Sequence, residues 1–352
     1  MNVKQMPQAA AKQRAESVFS GSEVNRPQRS AKPLPANYIK VAAPSTTANL
    51  GPGFDVFGLA HDAFEDTLEI EVTSRENIEI EVGGVDSQCI PCDPDKNTAG
   101  FVAKCVAERL PSGYGLRIHV EKGIPVGKGL GSSGASAAAC VVGLNRIMGL
   151  GLSNDQAIQL AARGEAASAG FPHADNVAAS ILGGFTIIRS YEPLHAIGLA
   201  PPPNLGVAVA VPDVVVAQKK TELARSVLPQ SVPMEKMVHN VGQASGMIVG
   251  ILSGDVDLIG RSMVDVVVEP ARSKFVPSYC KVKESALAAG AAGVAISGAG
   301  PSMIAIVDEN RTPTIVVAQA MKEAFEAGGV GCQAFSSKPA VGANILEEEK
   351  DA

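Results

Sequence analysis

Short segments in which apolar and polar residues alternate predict the first strands of the chain. Between residues 67 and 72, Leu68, Ile70 and Val72 alternate with polar residues. This pattern is typical of a strand with one buried face, because successive side chains of a strand point to opposite sides. The strands that we predict in the first half span residues 38–43, 67–72, 78–82, 116–120 and 185–190.

We predict helices in the longer segments between these strands. We predict one helix over residues 98–110 and another that follows a Gly-rich loop and ends near Gly149. Ser153 opens the next helix, where Gln156 completes a capping box three residues later. In the second half, predicted strands alternate with helices, the strands at 205–211, 293–298, 303–307 and 331–336 and the helices at about 236–253, 279–290 and 314–327. This order favours an α+β fold with antiparallel meanders over a doubly wound sheet.

The length of 352 residues predicts two packed lobes, because it is more than one hydrophobic core usually holds. Residues 1–37 are polar and without periodicity, which predicts a flexible N-terminal tail. The basic composition of this tail leaves an organelle-targeting segment as an alternative. The prolines at 201–203 indicate a change of lobe, so we divide the ordered chain into domains at 38–200 and 201–345.

Charge and hydropathy exclude several classes of function. The net charge is −6 and no cluster of Lys and Arg forms a basic patch, so we expect no nucleic-acid partner. No apolar run is long enough to cross a bilayer, and residues 1–30 lack the apolar centre of a secretion signal. We therefore expect no membrane contact and a cytoplasmic location.

Cys89 and Cys92 form a C-x-x-C pair, a pattern that also occurs in zinc and redox sites. No second pair and no C-x-x-H supplies the remaining ligands of a tetrahedral zinc ion. We therefore expect reduced thiols, as is usual in a cytosolic protein.

The segment from Pro125 to Gly149 joins a Gly-rich loop to a helix of small residues. Glycines let the backbone approach a ligand closely, and a helix N-terminus offers N–H groups to an anion. Together these features predict a site for a triphosphate. A Walker A loop does not fit, because Gly129 follows Lys128 where Ser or Thr is required. GLGSSG nominally matches a Rossmann fingerprint, but the preceding strand ends too early; a glycine turn that only caps a helix is the other alternative.

The string PVGKGLGSSGAS resembles the phosphate loop of the GHMP kinases, which has the form P-x-x-x-G-L-G-S-S. Further strings resemble the homoserine kinases of this superfamily across most of residues 38–340, namely APSTTANLGPGFD, DPDKNTAG, HADN, VVEPAR and ISGAGPS. The resemblance implies a two-lobed α+β fold, with a ribosomal-S5-like N-terminal lobe and a ferredoxin-like C-terminal lobe. It also implies ATP-dependent phosphorylation of the L-homoserine hydroxyl in threonine biosynthesis, and a homodimer.

The resemblance assigns the nucleotide to one continuous loop and one further residue. The residues implied to bind ATP are Asn97, Pro125, Val126, Gly127, Lys128, Gly129, Leu130, Gly131, Ser132, Ser133, Gly134 and Ala135. Lys128 stands where a small residue is usual, and it either adds a cation near the phosphates or points to solvent. Gly134 replaces the usual Ala, which loosens the first helical turn.

Glu165 is the candidate ligand for a metal ion. It shares the inward face of its predicted helix with Ile158 and Ala162, because the three follow the i, i+4, i+7 spacing. A buried carboxylate needs a partner. Mg²⁺, held jointly with the Ser133 hydroxyl and ATP oxygens, is one such partner, and a buried ion pair with Lys or Arg is the alternative.

Homoserine is a zwitterion with a hydroxyl, so its site requires a carboxylate, cations and polar groups. We expect Asp55 to bind the ammonium group, with a helix N-cap as the alternative role. We expect Arg225 and Arg272 to bind the carboxylate, because the planar guanidinium matches its geometry. The other substrate contacts implied by the resemblance are Asn49, Thr221, His173 and Asn176.

The residues implied to act in catalysis are Asn176, Glu165 and Ser133, with Asn176 polarising the hydroxyl. We hypothesise that no protein side chain acts as general base. Asp175 either reaches the hydroxyl or caps the helix that starts there. Two rival functions remain at this point, a kinase for another small alcohol and a catalytically silent binding relative.

Overall fold

The computed structural model describes residue 34 and residues 36–169, 173–215 and 220–350. In these ranges the strands β1 to β11 span Tyr38–Asn49, Gly53–Thr73, Ile78–Gly84, Gly115–Lys122, Phe185–Tyr191, Leu194–Leu199, Leu205–Pro212, Gly293–Ile296, Met303–Asp308, Cys332–Ser337 and Asn344–Glu349. The helices α1 to α10 span Thr98–Val106, Ser132–Ile147, Asn154–Ala169, Asp175–Leu182, Lys220–Ser226, Met234–Ser253, Val256–Arg261, Val268–Arg272, Tyr279–Ala288 and Thr314–Ala327.

The first sheet is organised around the long strand β2. Its strands follow the order β11-β1-β2-β4-β3, and β5 pairs with both β2 and β6. Residues 67–73 of β2 pair with β4, whereas residues 57–59 pair with β5. β3 and β4 are parallel, and α1 lies in the connection between them, as the crossover of a parallel pair requires.

The second sheet has the order β10-β7-β9-β8, and its pairings are antiparallel. Helix α10 covers it with the buried residues Val317, Met321 and Phe325, which pack in one cluster with Ala208 and Ala210 of β7. The strand order and the covering helices are those of a ferredoxin-like α+β unit.

Helix α2 packs closely on the first sheet because it has a glycine, Gly143, where it meets the strands. A Cβ added at Gly143 would lie 2.7 Å from Ile70 Cδ1 and 3.3 Å from Val41 Cγ2. The helix is buried along most of its length. This packing fixes the position of its N-terminus, which is where the Gly-rich loop ends.

The predicted elements are present, with ends that shift by a few residues. The capping box is confirmed, since Ser153 N–H donates to Gln156 Oε1 at 2.9 Å and Gln156 N–H donates to Ser153 Oγ at 3.3 Å. The helix predicted over 98–110 ends at Val106 and continues as a short 3₁₀ turn. Cys89 and Cys92 are exposed free thiols.

Several elements were not predicted, among them β6, the first half of β2, α5, α7, α8 and β11. β11 begins within the predicted second domain, yet it pairs with β1 in the first sheet. The division at residue 201 stays a prediction. Residues 1–33 and 35 of the predicted tail lie outside the described residues. In the described ranges, no helix combines the length and apolar character needed to cross a membrane.

Candidate active site

The phosphate loop leads from β4 into α2 through three glycines with left-handed backbone. Gly127, Gly129 and Gly131 have φ values of 72°, 84° and 69°, which other residues adopt only with strain. Gly131 is the N-cap residue of α2, and no side chain in the described part of the chain caps it. The first N–H groups of α2 are therefore presented at the loop in the arrangement that binds phosphate at helix N-termini.

Thr46 of β1 holds the loop against the first sheet. Its N–H donates to the carbonyl oxygen of Leu130 at 3.1 Å. A Cβ added at Gly131 would overlap with Thr46 Oγ1, so this close approach requires glycine. The Thr46 hydroxyl donates in turn to Asn176 Oδ1 at 2.9 Å. Asn176, the residue predicted to polarise the substrate hydroxyl, is thereby placed beside the phosphate loop.

The loop that precedes β9 holds the phosphate loop from the second sheet. Ser297 Oγ donates to the carbonyl oxygen of Gly129 at 2.7 Å, and Ser302 N–H donates to that of Lys128 at 3.2 Å. A Cβ at Gly129 would overlap with the carbonyl oxygen of Ser297 and lie 2.6 Å from that of Gly300. The phosphate loop therefore lies between the two sheets and contacts both.

The side chain of Lys128 extends to the end of β7. Its Nζ donates to the carbonyl oxygens of Pro212 at 3.0 Å and Val214 at 2.8 Å. These contacts do not agree with the expectation that it points to solvent, because carbonyl oxygens at a strand end satisfy the ammonium group. Its contact with a nucleotide stays a prediction.

A buried ion pair that the sequence analysis missed lies beneath the loop. The Nζ of Lys122 donates to the carboxylate of Asp66, to the carbonyl oxygen of Ser132 at 2.7 Å and to Ser136 Oγ at 2.8 Å. Burial lowers the pKa of Lys122, and the charge of Asp66 opposes this change. The pair fixes the start of α2 from below. The alternation of β4 was the available signal, since Lys122 follows Val120 on the buried face.

Glu165 of α3 is buried, with 5% of its surface exposed, and its carboxylate forms a hydrogen bond with the side chain of Ser133. The predicted inward face is confirmed, because Ile158 and Ala162 are buried as well. Burial raises the pKa of Glu165 to about 7, and Ser133 and Lys122 oppose this shift. The two residues named as a metal pair therefore meet at the N-terminus of α2.

This pair fits a Mg²⁺ ion by its chemistry. A carboxylate and a hydroxyl are hard oxygen ligands of the kind that Mg²⁺ takes together with phosphate oxygens and water. A cation at this position would also favour the charged form of Glu165, which burial disfavours. The alternative partner, Lys122, has its ammonium group directed to Asp66.

A charged cluster lies on the substrate side of the predicted site. Arg225 Nη2 donates to both carboxylate oxygens of Asp55, at 2.9 and 2.7 Å, and contacts His173 Nδ1 at 2.9 Å. Burial lowers the pKa of His173 to about 4, so its neutral ring accepts the hydrogen bond. Asp55 lies in β2 with a left-handed backbone, so the helix N-cap alternative is wrong. The two residues expected to hold opposite ends of the substrate pair with each other here, because adjacent opposite charges satisfy one another.

Arg272 and Asn49 meet at one carbonyl group. Arg272 Nη1 donates to the carbonyl oxygen of Gly298 at 3.1 Å, and Asn49 Nδ2 donates to the same oxygen at 3.0 Å. Arg272 Nε also donates to the carbonyl oxygen of Ala224 at 3.2 Å, and its guanidinium lies 5.0 Å from the centre of the Phe54 ring. The side chain is 4% exposed and is held on all these sides.

Asp175 begins α4 and is buried, with 3% of its surface exposed. Its Oδ1 accepts hydrogen bonds from the N–H of Asn176 at 2.8 Å and from Asn176 Nδ2 at 3.3 Å. Burial and the nearby charge of Asp55 raise the pKa of Asp175 to about 7. The carboxyl group of Asp175 therefore forms its hydrogen bonds within the first turn of α4.

Two predicted residues lie apart from these contacts. Asn97 is the N-cap residue of α1, where its Oδ1 accepts the N–H groups of Ala99 and Gly100, and it is 3% exposed. The structure thus gives it a structural role, and its contact with the nucleotide stays a prediction. Thr221 belongs to α5, but its side chain lies outside the described part of the chain.

Known proteins match most of this chain. The N-terminal domain of the GHMP kinases matches residues 97–184, and the C-terminal domain of the GHMP kinases matches residues 247–327. Homoserine kinase of Methanococcus vannielii is 42% identical over 88% of this chain and 99% of its own length. Homoserine kinase of Halorubrum lacusprofundi is also 42% identical, over 88% of this chain and 100% of its own length. The chain belongs to the homoserine kinase family.

A solved structure extends the likeness to three dimensions. The crystal structure of homoserine kinase from Cytophaga hutchinsonii has a TM-score of 0.82 and 37% identity, and the match covers 90% of this chain and 99% of that one. The resemblance, the two-lobed α+β GHMP kinase fold and the class of ATP-dependent kinases are therefore confirmed. The roles of individual site residues stay predictions.

Proposed function

We propose that this chain transfers the γ-phosphate of ATP to the side-chain hydroxyl of L-homoserine, giving O-phospho-L-homoserine in threonine biosynthesis. One observation carries the proposal. Residues 173–176 join the phosphate loop to the charged cluster, because Asn176 contacts Thr46 beside Gly131 while His173 contacts Arg225. A small zwitterion bound at the cluster would thus have its side chain directed to the phosphates.

The charged residues suit the two ends of an amino acid. The side chains of Asp55 and Arg225 are each 27% exposed, so a ligand can reach their ion pair. The substrate ammonium group would take the place of Arg225 beside Asp55, and its carboxylate would bind Arg225 and Arg272. Arg272 is already oriented by its bonds to main-chain carbonyls, which lowers the entropy lost on binding.

The nucleotide would bind along residues 125–135 with its phosphates at the N-terminus of α2. Ser133 and Glu165 would hold Mg²⁺, which neutralises charge on the phosphates when it is bound. Lys122 supports this arrangement from below, because it fixes the Ser132 carbonyl and does not need to touch the ligand. Positioning of this kind is the main contribution of a protein to phosphoryl transfer.

We propose that no side chain removes the hydroxyl proton as a general base. Asn176 is the residue beside the loop, and its amide can polarise the hydroxyl but cannot take its proton. Oδ1 of Asp175 accepts hydrogen bonds from the main chain and the side chain of Asn176. These bonds give the buried carboxyl group a partner, so its presence requires no catalytic role. Its contribution is therefore to orient Asn176.

A homodimer is the assembly that we propose. Helix α6 carries a row of exposed apolar side chains, which is unusual on the surface of a monomer. They are Met234, Met237, Val238, Val241, Val249 and Leu252, between 48% and 69% exposed. Light scattering on the purified chain would measure its mass directly, and a monomer at micromolar concentration would contradict this proposal. We also propose a cytoplasmic location.

The function is tested by coupled ADP release from the purified chain with ATP and Mg²⁺. Homoserine is compared with mevalonate, galactose, serine and threonine as phosphate acceptors. Turnover with homoserine alone supports the proposal. Turnover with another alcohol would contradict the assignment of the charged cluster but not that of the phosphate loop. ATP binding by a folded protein without turnover on any acceptor would favour a silent binding relative.

A further inference from the structure

Tyr191, the last residue of β5, connects two segments of the substrate side through its hydroxyl group. The hydroxyl donates to the carbonyl oxygen of Asp55 at 2.7 Å. The hydroxyl also forms a hydrogen bond with the backbone of Ala174, and this bond lowers the pKa of Tyr191. Such an effect is expected when an N–H group donates to the phenol oxygen. One oxygen atom thus joins the start of β2, which carries Asp55, to the segment that carries His173 and Asp175.

The first of these segments has a backbone that requires support. Asp55 has a φ of 59°, which lies in the left-handed region. This backbone conformation is unfavourable for any residue that has a Cβ atom. Its N–H donates to Asn49 Oδ1 at 3.1 Å, and its carbonyl oxygen accepts from Tyr191. The two contacts hold the residue from both sides, and this fixes where its carboxylate points.

The second segment enters α4 at this point, where the carbonyl oxygen of Ala174 accepts the N–H of Ala178 at 2.7 Å. Ala174 lies directly between His173, which contacts Arg225, and Asp175, which bonds with Asn176. Holding the main chain at Ala174 therefore sets the positions of both neighbours. The connection made by Tyr191 fixes the distance between the charged cluster and the residue beside the phosphate loop.

We propose that Tyr191 is a positioning residue for the phosphate acceptor, which it never touches, and this inference rests on the proposed function. Packing is not the main role of the side chain, because 39% of its surface is exposed. Its hydroxyl is required as donor and acceptor at once, which only the neutral phenol provides.

The test replaces Tyr191 with phenylalanine, which removes only the hydroxyl. Tyr114→Phe is the matched control, since Tyr114 is 47% exposed and lies in the turn before β4. Loss of two hydrogen bonds predicts that Tyr191→Phe raises the KM for homoserine about tenfold. The KM for ATP and the unfolding temperature are expected to stay at the values of the control.

A second measurement tests the route through Asp55. In an Asp55→Asn background, Tyr191→Phe is expected to raise the KM for homoserine much less than in the wild type, since residues that act together are not additive. If Tyr191→Phe raises the KM for homoserine as much in the Asp55→Asn background as in the wild type, the inference is overturned. An unchanged KM for homoserine, or equal rises for both substrates with a lower unfolding temperature, would overturn it too. If the wild type does not phosphorylate homoserine at all, the proposed function fails and this inference fails with it.

Discussion

Replacement of Asp175 with asparagine tests the charge state of the site and its proton chemistry together. Burial, with the nearby charge of Asp55, raises the pKa of this carboxyl group from 3.8 to about 7, while the N–H of Asn176 opposes the shift. A raised pKa means that the folded state binds the proton more tightly than the unfolded state. The stabilisation is therefore fully present below about pH 4 and is lost as pH rises through about 7.

The magnitude follows from the two pKa values. The interval from 3.8 to about 7 corresponds to a loss of roughly 4 kcal/mol at alkaline pH. More than half of this loss falls between about pH 5 and pH 8, because up to about pH 7 the unfolded carboxyl group is ionised while the folded one still holds its proton. Asparagine has nearly the same shape and cannot ionise. We expect the stability of Asp175→Asn relative to wild type to increase by about 2 to 3 kcal/mol from pH 5 to pH 8.

The assay is urea unfolding at both pH values without nucleotide or Mg²⁺, with exposed Asp213→Asn as the control. A stability difference that does not change with pH would refute the argument from burial. The same variant is then used in steady-state kinetics. If no side chain acts as general base, most of kcat remains; a collapse of kcat at unchanged KM would refute that hypothesis.

Three further variants address the metal pair, the loop and the carboxylate site. Glu165→Gln is expected to raise the Mg²⁺ concentration for half-maximal rate by roughly tenfold or more, because an amide is a weaker ligand; a titration like that of wild type would contradict the assignment. Gly129→Ala is expected to cost more than the roughly 1–2 kcal/mol of a left-handed alanine, because its Cβ overlaps with backbone. Gly113→Ala, with φ of 88° and no neighbour within 4 Å, is its control in thermal unfolding, and equal losses would refute the overlap. Arg272→Lys is expected to raise the KM for homoserine about tenfold and leave that for ATP unchanged, because an ammonium group cannot reproduce the planar contacts; unchanged kinetics for both substrates would remove Arg272 from the site.

The parts of the fold that sequence analysis predicted are those with one buried face. In β4, Leu116, Ile118 and Val120 alternate inward, and in α3 the helical spacing placed Glu165 on the buried side. Such periodicities depend only on which face of a strand or helix is buried. They can therefore be recognised in the sequence without knowing which element packs against that face. The glycines of the phosphate loop are visible for a similar reason, because their backbone conformation is local.

The missed elements lack that local signal. β11 is exposed along almost its whole length, and β6 is only half-buried, so neither shows a buried face in its sequence. The ion pair of Asp55 with Arg225 joins residues far apart in the chain, and no pattern near either residue predicts it. Lys122 was overlooked because a charged residue on an inward face needs a partner that only the fold supplies, here Asp66.

The pairing of β11 with β1 has a consequence for how the chain is made. Tyr38 lies opposite Glu349 and Ala42 opposite Asn344, so the ribosome synthesises one partner long before the other. Until residue 349 has emerged, that edge of β1 presents N–H and C=O groups without a partner, to which strands of other chains can add. Pairings between such distant segments also form slowly. The first sheet is therefore completed late in biogenesis, and during this interval the open edge of β1 favours association of nascent chains with one another.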